Sequence, residues 1–215
     1  MTHHVLAFCG MPGTAADLEI LQDAARELSY DLRVFGAASI EQAMTFNRAE
    51  RPICVGYSRG CWNALQYASR NPAAKVLLIA PHWGNRVSLF VRLLLRLPLL
   101  GTILLCLTGP KRIQKMLRET AFPKDAPAAY KALEKAYARP SVLRHAMLAP
   151  AHSTDEVVSI IQSSRIPVYA IAGERDKALH LAEALRPWLN KLTIIPQAGH
   201  ALPWTHGKEC VKELI

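Results

Sequence analysis

The run Ile53-Cys54-Val55-Gly56-Tyr57-Ser58-Arg59-Gly60 leaves this chain less conformational freedom than any other segment. An apolar stretch ends on one glycine, and a second glycine opens a pattern of helical spacing that continues to about Arg70. Glycine is needed where neighbouring backbone comes too close for a side chain, so the pair brackets a sharp strand-to-helix turn. Other segments repeat the alternation. Val5–Phe8, Leu32–Phe35, Val76–Ile79, Pro167–Ile171 and Leu192–Ile195 read as further strands. Between them, Leu18, Leu21, Ala25 and Leu28 give helical spacing over Ala15–Leu28, and Ser39 caps a helix to about Asn47, with Gln42 completing a capping box. Further helices are predicted over Ser153–Gln162 (Ser153 or Thr154 capping), Leu179–Leu189 and Thr205–Ile215. Short strands that are apolar throughout and alternate with helices imply βαβ units around a mostly parallel sheet covered on both faces.

Composition narrows the class further. At 215 residues, 51% hydrophobic and 20% charged, the chain can bury the core of one large domain and is not disordered, collagenous or a disulfide scaffold. The five cysteines (Cys9, Cys54, Cys61, Cys106, Cys210) are odd in number and set in apolar context, which predicts reduced thiols and a cytoplasmic location. None has zinc-ligand spacing, so no metal site is expected. The start, Met1-Thr2-His3-His4-Val5, lacks the basic region and cleavage site of a secretory signal.

The formal net charge of +9 first suggests nucleic acid, but its distribution argues otherwise. Arg86 to Leu148 holds twelve bases against three acids, which accounts for the whole excess. A neutral body with one basic insert points to a local anionic partner, and no nucleic-acid-binding motif accompanies the charge. Val87–Leu107 is apolar enough to suggest a membrane span, but Arg92, Arg96, Pro98 and Gly101 interrupt it. The longest uncharged run inside that stretch, Leu97–Leu107, is 11 residues, against roughly 20 for a span. It reads as two helices meeting at a bend, with superficial membrane contact as an alternative to burial.

The chemistry-bearing residues lie where strands end. Ser58 sits in the turn between strand and helix, and the helix behind it offers free N–H groups to a developing negative charge. A serine hydroxyl needs a base to take its proton. His200 follows the last strand in Ala198-Gly199-His200, and Asp176 follows the preceding one in Gly173-Glu174-Arg175-Asp176. The order Ser, Asp, His along the chain is one that supports nucleophilic acyl transfer. Glu174 is the reserve acid and His152 a distant reserve base.

With these residues in place, the chain resembles the α/β-hydrolase superfamily, in particular its small capped serine hydrolases. Cys9-Gly10-Met11-Pro12-Gly13 is similar to the oxyanion loop, Gly56–Gly60 to the nucleophile elbow, Gly173–Asp176 to the acid turn and Gly199-His200 to the histidine loop. The resemblance implies that Ser58 is the nucleophile, His200 the general base and then acid, and Asp176 the group that orients the imidazole. It implies that the backbone N–H groups of Met11 and Arg59 form the oxyanion hole. It also divides the chain into a core of residues 1–82 and 150–215 and a helical cap over 83–149, and it requires no metal or organic cofactor. Two departures stand out: Cys9 occupies a usual histidine position, and the family's first two strands are missing, which leaves a sheet of about six strands.

The expected substrate is a carboxylic ester with an apolar acyl group, with an acyl thioester as the runner-up. Leu89, Phe90, Leu93, Leu94, Leu95 and Leu97 are expected either to form a greasy acyl pocket or to pack the cap on the core. Phe8, Tyr57, His82, Trp83 and Trp204 are candidates to line the pocket. Arg112 and Lys115 belong to a basic rim that would steer an acyl-carrier protein or coenzyme A. The competing class is a non-catalytic protein that uses the basic insert to bind a partner or a membrane.

Overall fold

The structure is a computed structural model that describes residues 3–10, 16–35, 43, 45, 51–84, 87–116 and 139–214. Six strands form one sheet: β1 (His3–Phe8), β2 (Tyr30–Phe35), β3 (Ile53–Tyr57), β4 (Lys75–Ile79), β5 (Val168–Gly173) and β6 (Lys191–Ile195). Their order across the sheet is β2-β1-β3-β4-β5-β6, and every pairing is parallel, so the sheet is wholly rather than mostly parallel among the described residues.

Strand alternation sorts the core into two layers. Val5, Ala7, Val55, Tyr57, Leu77, Ile79 and Ile171 point to one face, where Leu18, Leu21, Leu202, Val211 and Leu214 cover them. Leu6, Phe8, Cys54, Val76, Leu78, Val168 and Ala170 point to the other. There they meet Cys61, Ala64, Leu65, Tyr67 and Ala68 of the helix Gly60–Arg70, and Val157 and Ile161 of the helix Thr154–Ser164. With both faces buried, the strands need apolar residues at odd and even positions alike, which is why they read as unbroken apolar runs.

Several predicted helices are interrupted. The helix expected over 15–28 becomes Ala16–Glu19 and Gln22–Glu27, parted by a tight turn in which the Leu21 N–H reaches the Leu18 carbonyl at 2.9 Å. The helix expected over 205–215 runs from Gly207 to Lys212, and a separate short helix, Leu202–Thr205, precedes it. Ser153 caps the helix Thr154–Ser164 in a reciprocal capping box with Glu156. The helix expected from Ser39 lies outside the described residues apart from Ala43 and Thr45.

Among the described residues, three helices fall between β4 and Thr154–Ser164: Leu89–Arg96, Pro98–Met116 and Pro140–Leu148. Arginines tie them together. Arg92 donates to the Leu148 carbonyl at 3.0 Å, and Arg144 donates to the Pro98 carbonyl and the Thr102 hydroxyl, both at 2.7 Å. Neither the acyl pocket expected beneath the leucines nor their alternative packing onto the core is what the structure shows. Leu89, Phe90, Leu93 and Leu97 are exposed, while Leu95 is buried, so most of this apolar run faces away from the body.

Candidate functional site

The parallel order reverses at β1: the chain passes from β1 to β2 on one side and then to β3 on the other. Ligand crevices in open α/β sheets form at such switch points, outside the C-terminal ends of the strands. Ser58 stands there, directly after β3, with φ at +53°, a left-handed conformation that only a constrained turn imposes on serine. The turn is pinned by the Ser58 N–H, which donates to the Ile79 carbonyl at 2.9 Å, and by the Cys61 N–H, which donates to the Ser58 carbonyl at 3.1 Å.

Glycines make the turn fit. A Cβ at Gly56 would lie 2.4 Å from the Cys61 Cα, and one at Gly10 would lie 2.7 Å from the Ser58 Cβ. Both are closer than real Cβ contacts come, so these positions admit glycine alone without backbone movement.

A continuous hydrogen-bond chain runs from the serine. The Ser58 hydroxyl donates to His200 Nε2 at 2.9 Å, and His200 Nδ1–H donates to Asp176 Oδ2 at 2.7 Å. The other carboxylate oxygen of Asp176 accepts the Ala178 N–H at 2.8 Å. Ser58 and Asp176 are buried, and His200 is partly exposed. Three strands contribute one residue each: Ser58 follows β3, Asp176 follows β5 and His200 follows β6. Gly173 permits the acid and histidine loops to meet, because a Cβ there would sit 2.4 Å from the carbonyl oxygens of both Ala198 and Gly199.

The reserve groups are held elsewhere. Glu174 accepts the Gln197 N–H at 2.8 Å and so fastens the turn that leads to the histidine loop. His152 stacks on the Trp62 ring, with centroids 3.5 Å apart. Burial pushes the His152 imidazole below its ordinary value, an effect opposed by Glu156 and reinforced by the Arg59 charge. An unfolded chain therefore binds this proton more readily than the folded one. The stability linked to His152 is fully present above its ordinary value of 6.5 and is lost as pH falls through the depressed one. In His152→Gln, the melting temperature should fall less steeply on acidification than in the wild type, as followed by thermal circular dichroism.

Beside this chain lies a cavity of about 400 Å³. Cys9, Arg59, Trp62, Asn63 and His152 line it from the body, and His145 and Leu148 close it from the helix 140–148. Arg59 latches the two sides together: its guanidinium donates to the Ala146 carbonyl at 3.3 Å and to the Pro150 carbonyl. Burial pushes that guanidinium below its ordinary value.

The residues proposed from sequence to line the pocket are placed differently. Phe8 is fully buried, stacked on Phe35 with centroids 5.8 Å apart, and Trp83 is buried in the same core layer. Tyr57 lies in the opposite layer, 5.7 Å from the His200 ring, and Trp204 donates to Asp17 at 3.0 Å. His82 also approaches His200, its ring nearly perpendicular with centroids 6.3 Å apart, while its Nδ1 accepts the Gly84 N–H. Trp62, Asn63, His145 and Leu148 were not singled out by sequence reasoning. Trp62 and Asn63 lie two and three residues after the elbow glycine Gly60, in the first turn of the helix behind Ser58, which is the signal that could have found them.

Lys115 is exposed, and the Arg112 side chain and Met11 lie outside the described residues. Arg59 belongs to the turn that opens the helix Gly60–Arg70, whose first N–H groups have no partner within the helix. Among the described residues, no group of three His, Cys, Asp or Glu is placed to hold a metal ion.

Comparison with known proteins adds a family and a fold. A family model described as "Alpha/beta hydrolase family" matches residues 9–213. MenH from S. aureus superposes with a TM-score of 0.72 at 14% identity, covering 100% of this chain and 92% of that one. A thermophilic esterase from Thermogutta terrifontis gives 0.68 at 16% identity, over 100% and 88% of the two chains. The thioesterase domain from the curacin biosynthetic pathway gives 0.69 at 13% identity, over 99% and 91%. Identities this low show a shared fold alone. No curated protein matches the chain in sequence.

Proposed function

Since this chain belongs to the alpha/beta hydrolase family, we propose that it is a serine hydrolase that cleaves a carboxylic ester through an acyl-enzyme intermediate. The observation that carries this reading is the unbroken hydrogen-bond chain Ser58–His200–Asp176, with links of 2.9 and 2.7 Å, on a strained turn at the switch point. His200 Nε2 takes the hydroxyl proton as Ser58 Oγ attacks the ester carbonyl carbon. The resulting oxyanion is met by the backbone N–H groups of Arg59 and, as the resemblance implies, Met11. The imidazolium then returns its proton to the departing alkoxy oxygen, which leaves the acyl group on Ser58. Water, deprotonated by the same imidazole, opens that ester and releases the acid. Asp176, accepting from His200 Nδ1–H, holds the tautomer that presents a bare Nε2 to serine.

In this reading the helices of the basic insert are a cap over the site, and Arg59 couples that cap to the elbow. An acyl thioester would pass through the same steps with a thiolate leaving group. The structural likeness to both an esterase and a thioesterase domain makes this the second reading.

A fluorophosphonate probe should form a covalent adduct that peptide mass spectrometry maps to Ser58. Folded protein that takes up no probe at Ser58 would sink the enzyme reading in favour of a non-catalytic binding protein. A matched panel of p-nitrophenyl esters, acyl-coenzyme A and acyl-carrier-protein substrates then separates ester from thioester by kcat/KM. Asp176→Asn should lower kcat by about 10⁴ on the preferred substrate. Its amide must accept from the Ala178 N–H with its oxygen, which turns the NH₂ toward His200 and enforces the wrong tautomer.

A further inference from the structure

The helix Pro98–Met116 is turned inside out. Leu99, Leu100, Ile103, Cys106 and Leu107 recur at helical spacing on its exposed side, while Gly101, Leu105 and Gly109 occupy the buried one. Leu99 and Leu107 are 73% and 71% exposed, values opposite to what a helix of a globular body normally shows for its large apolar residues. The neighbouring helix Leu89–Arg96 extends the surface with Leu89 at 73% and Phe90 at 69%, joined by Leu93 and Leu97. The two axes meet at 112°, so the apolar residues lie on a bent pair of helices rather than one rod. Contiguous apolar surface on this scale marks an interaction site.

The charge around it identifies the partner. From Val87 to Met116 the chain carries five bases and no acid. Arg96 stands exposed at the bend, and Lys111 stands exposed where the apolar stripe ends. An acidic protein would be met by a cluster of cations, but Arg92 and Arg144 are directed to carbonyls within the insert. What remains is an apolar surface with exposed cations at its ends, Arg96 at the bend and Lys111 and Lys115 where the stripe stops, whose long stems can reach past buried leucines to anionic headgroups. Among the described residues no single helix is long and apolar enough to cross a bilayer, and the pair 89–96 and 98–111, which has the length and composition only when taken together, is broken by its 112° bend. We propose that the outer face of helices 89–96 and 98–116 docks on an anionic lipid bilayer and lies in its interface.

Cys106 provides the reporter, because it is exposed within the stripe while the other four cysteines are buried. An environment-sensitive fluorophore on Cys106 should shift to the blue when phosphatidylglycerol-containing vesicles are added, and much less with pure phosphatidylcholine. In flotation assays, Leu99→Ser with Leu107→Ser should weaken vesicle binding at least tenfold for each leucine removed from the interface. Arg96→Glu with Lys111→Glu should weaken binding to anionic vesicles at least tenfold and abolish their advantage over neutral ones. Ser58→Ala should bind vesicles as the wild type does, and all four surface changes should leave fluorophosphonate labelling of Ser58 intact. Docking and catalysis therefore fail separately. Absence of vesicle binding by folded protein at low salt overturns the proposal, as does binding indifferent to both pairs of substitutions. A concentration-dependent dimer that hides Cys106 without lipid overturns it in favour of a second copy of this chain.

Discussion

Replacing Ser58 by alanine is expected to lower turnover of any ester the protein cleaves by on the order of 10⁶-fold while leaving the fold in place. The hydroxyl has one structural partner, His200 Nε2 at 2.9 Å, and removing it leaves the imidazole with nothing to deprotonate. The backbone contacts that hold the turn, from the Ser58 N–H to Ile79 and from the Cys61 N–H to Ser58, do not involve the side chain. Alanine meets the same left-handed strain that serine meets at φ +53°, so the melting temperature should move little. The comparison to make is kcat on the preferred ester, with near-ultraviolet circular dichroism and a thermal melt as controls for folding. A fall of less than about tenfold in a folded variant would place the nucleophile elsewhere. A fall shared with an unfolded spectrum would mean that the turn depends on the hydroxyl.

The elbow and the residues after β5 and β6 are legible in the sequence because each is tied to a local rule. A glycine pair brackets a turn, and a strand end presents whatever residue follows it. The sheet was legible for the same reason, since strands buried on both faces must be apolar at every position. Other features depend on geometry that spacing does not encode. Helical periodicity in Leu89–Leu107 reveals an apolar stripe but not which side of it faces the body. There, Leu95, Gly101 and Leu105 turn inward, while Leu89, Leu93, Leu97, Leu99, Leu100 and Leu107 turn outward. Phe8 shows a different failure: it shares a strand face with Leu6, so alternation sends it beneath Tyr67 rather than toward the crevice. The cavity wall of Trp62 and Asn63 arises because the helix after the elbow starts in the crevice, a consequence of the close approach made by Gly60.

That approach leads to the largest stability effect to be expected from one methyl group. Gly60 opens a helix, and within a helix interior Gly→Ala ordinarily gains up to about 1 kcal/mol from propensity. Here a Cβ would lie 2.0 Å from the Phe8 carbonyl oxygen, 2.6 Å from the Phe8 carbonyl carbon and 2.7 Å from the Cys9 oxygen. All three are backbone atoms at the end of β1, which cannot retreat easily. Phe8 is in register with Gly56 on one side and Phe35 on the other, and the Cys9 N–H donates to the Phe35 carbonyl at 3.0 Å. The overlap must therefore be relieved by lifting the helix off the sheet or breaking strand pairing in its centre. A loss on the order of 3 kcal/mol or more follows, against a total of about 5–15 kcal/mol for a domain. Urea unfolding should show it as a lower midpoint. Gly207→Ala is the control, because its added Cβ meets only the flexible end of Leu21 at 3.3 Å. If Gly60→Ala proved neutral, the helix could not start hard against β1. The Arg59 N–H, which the proposed reaction uses for its oxyanion, would then lose the backbone position that this contact fixes.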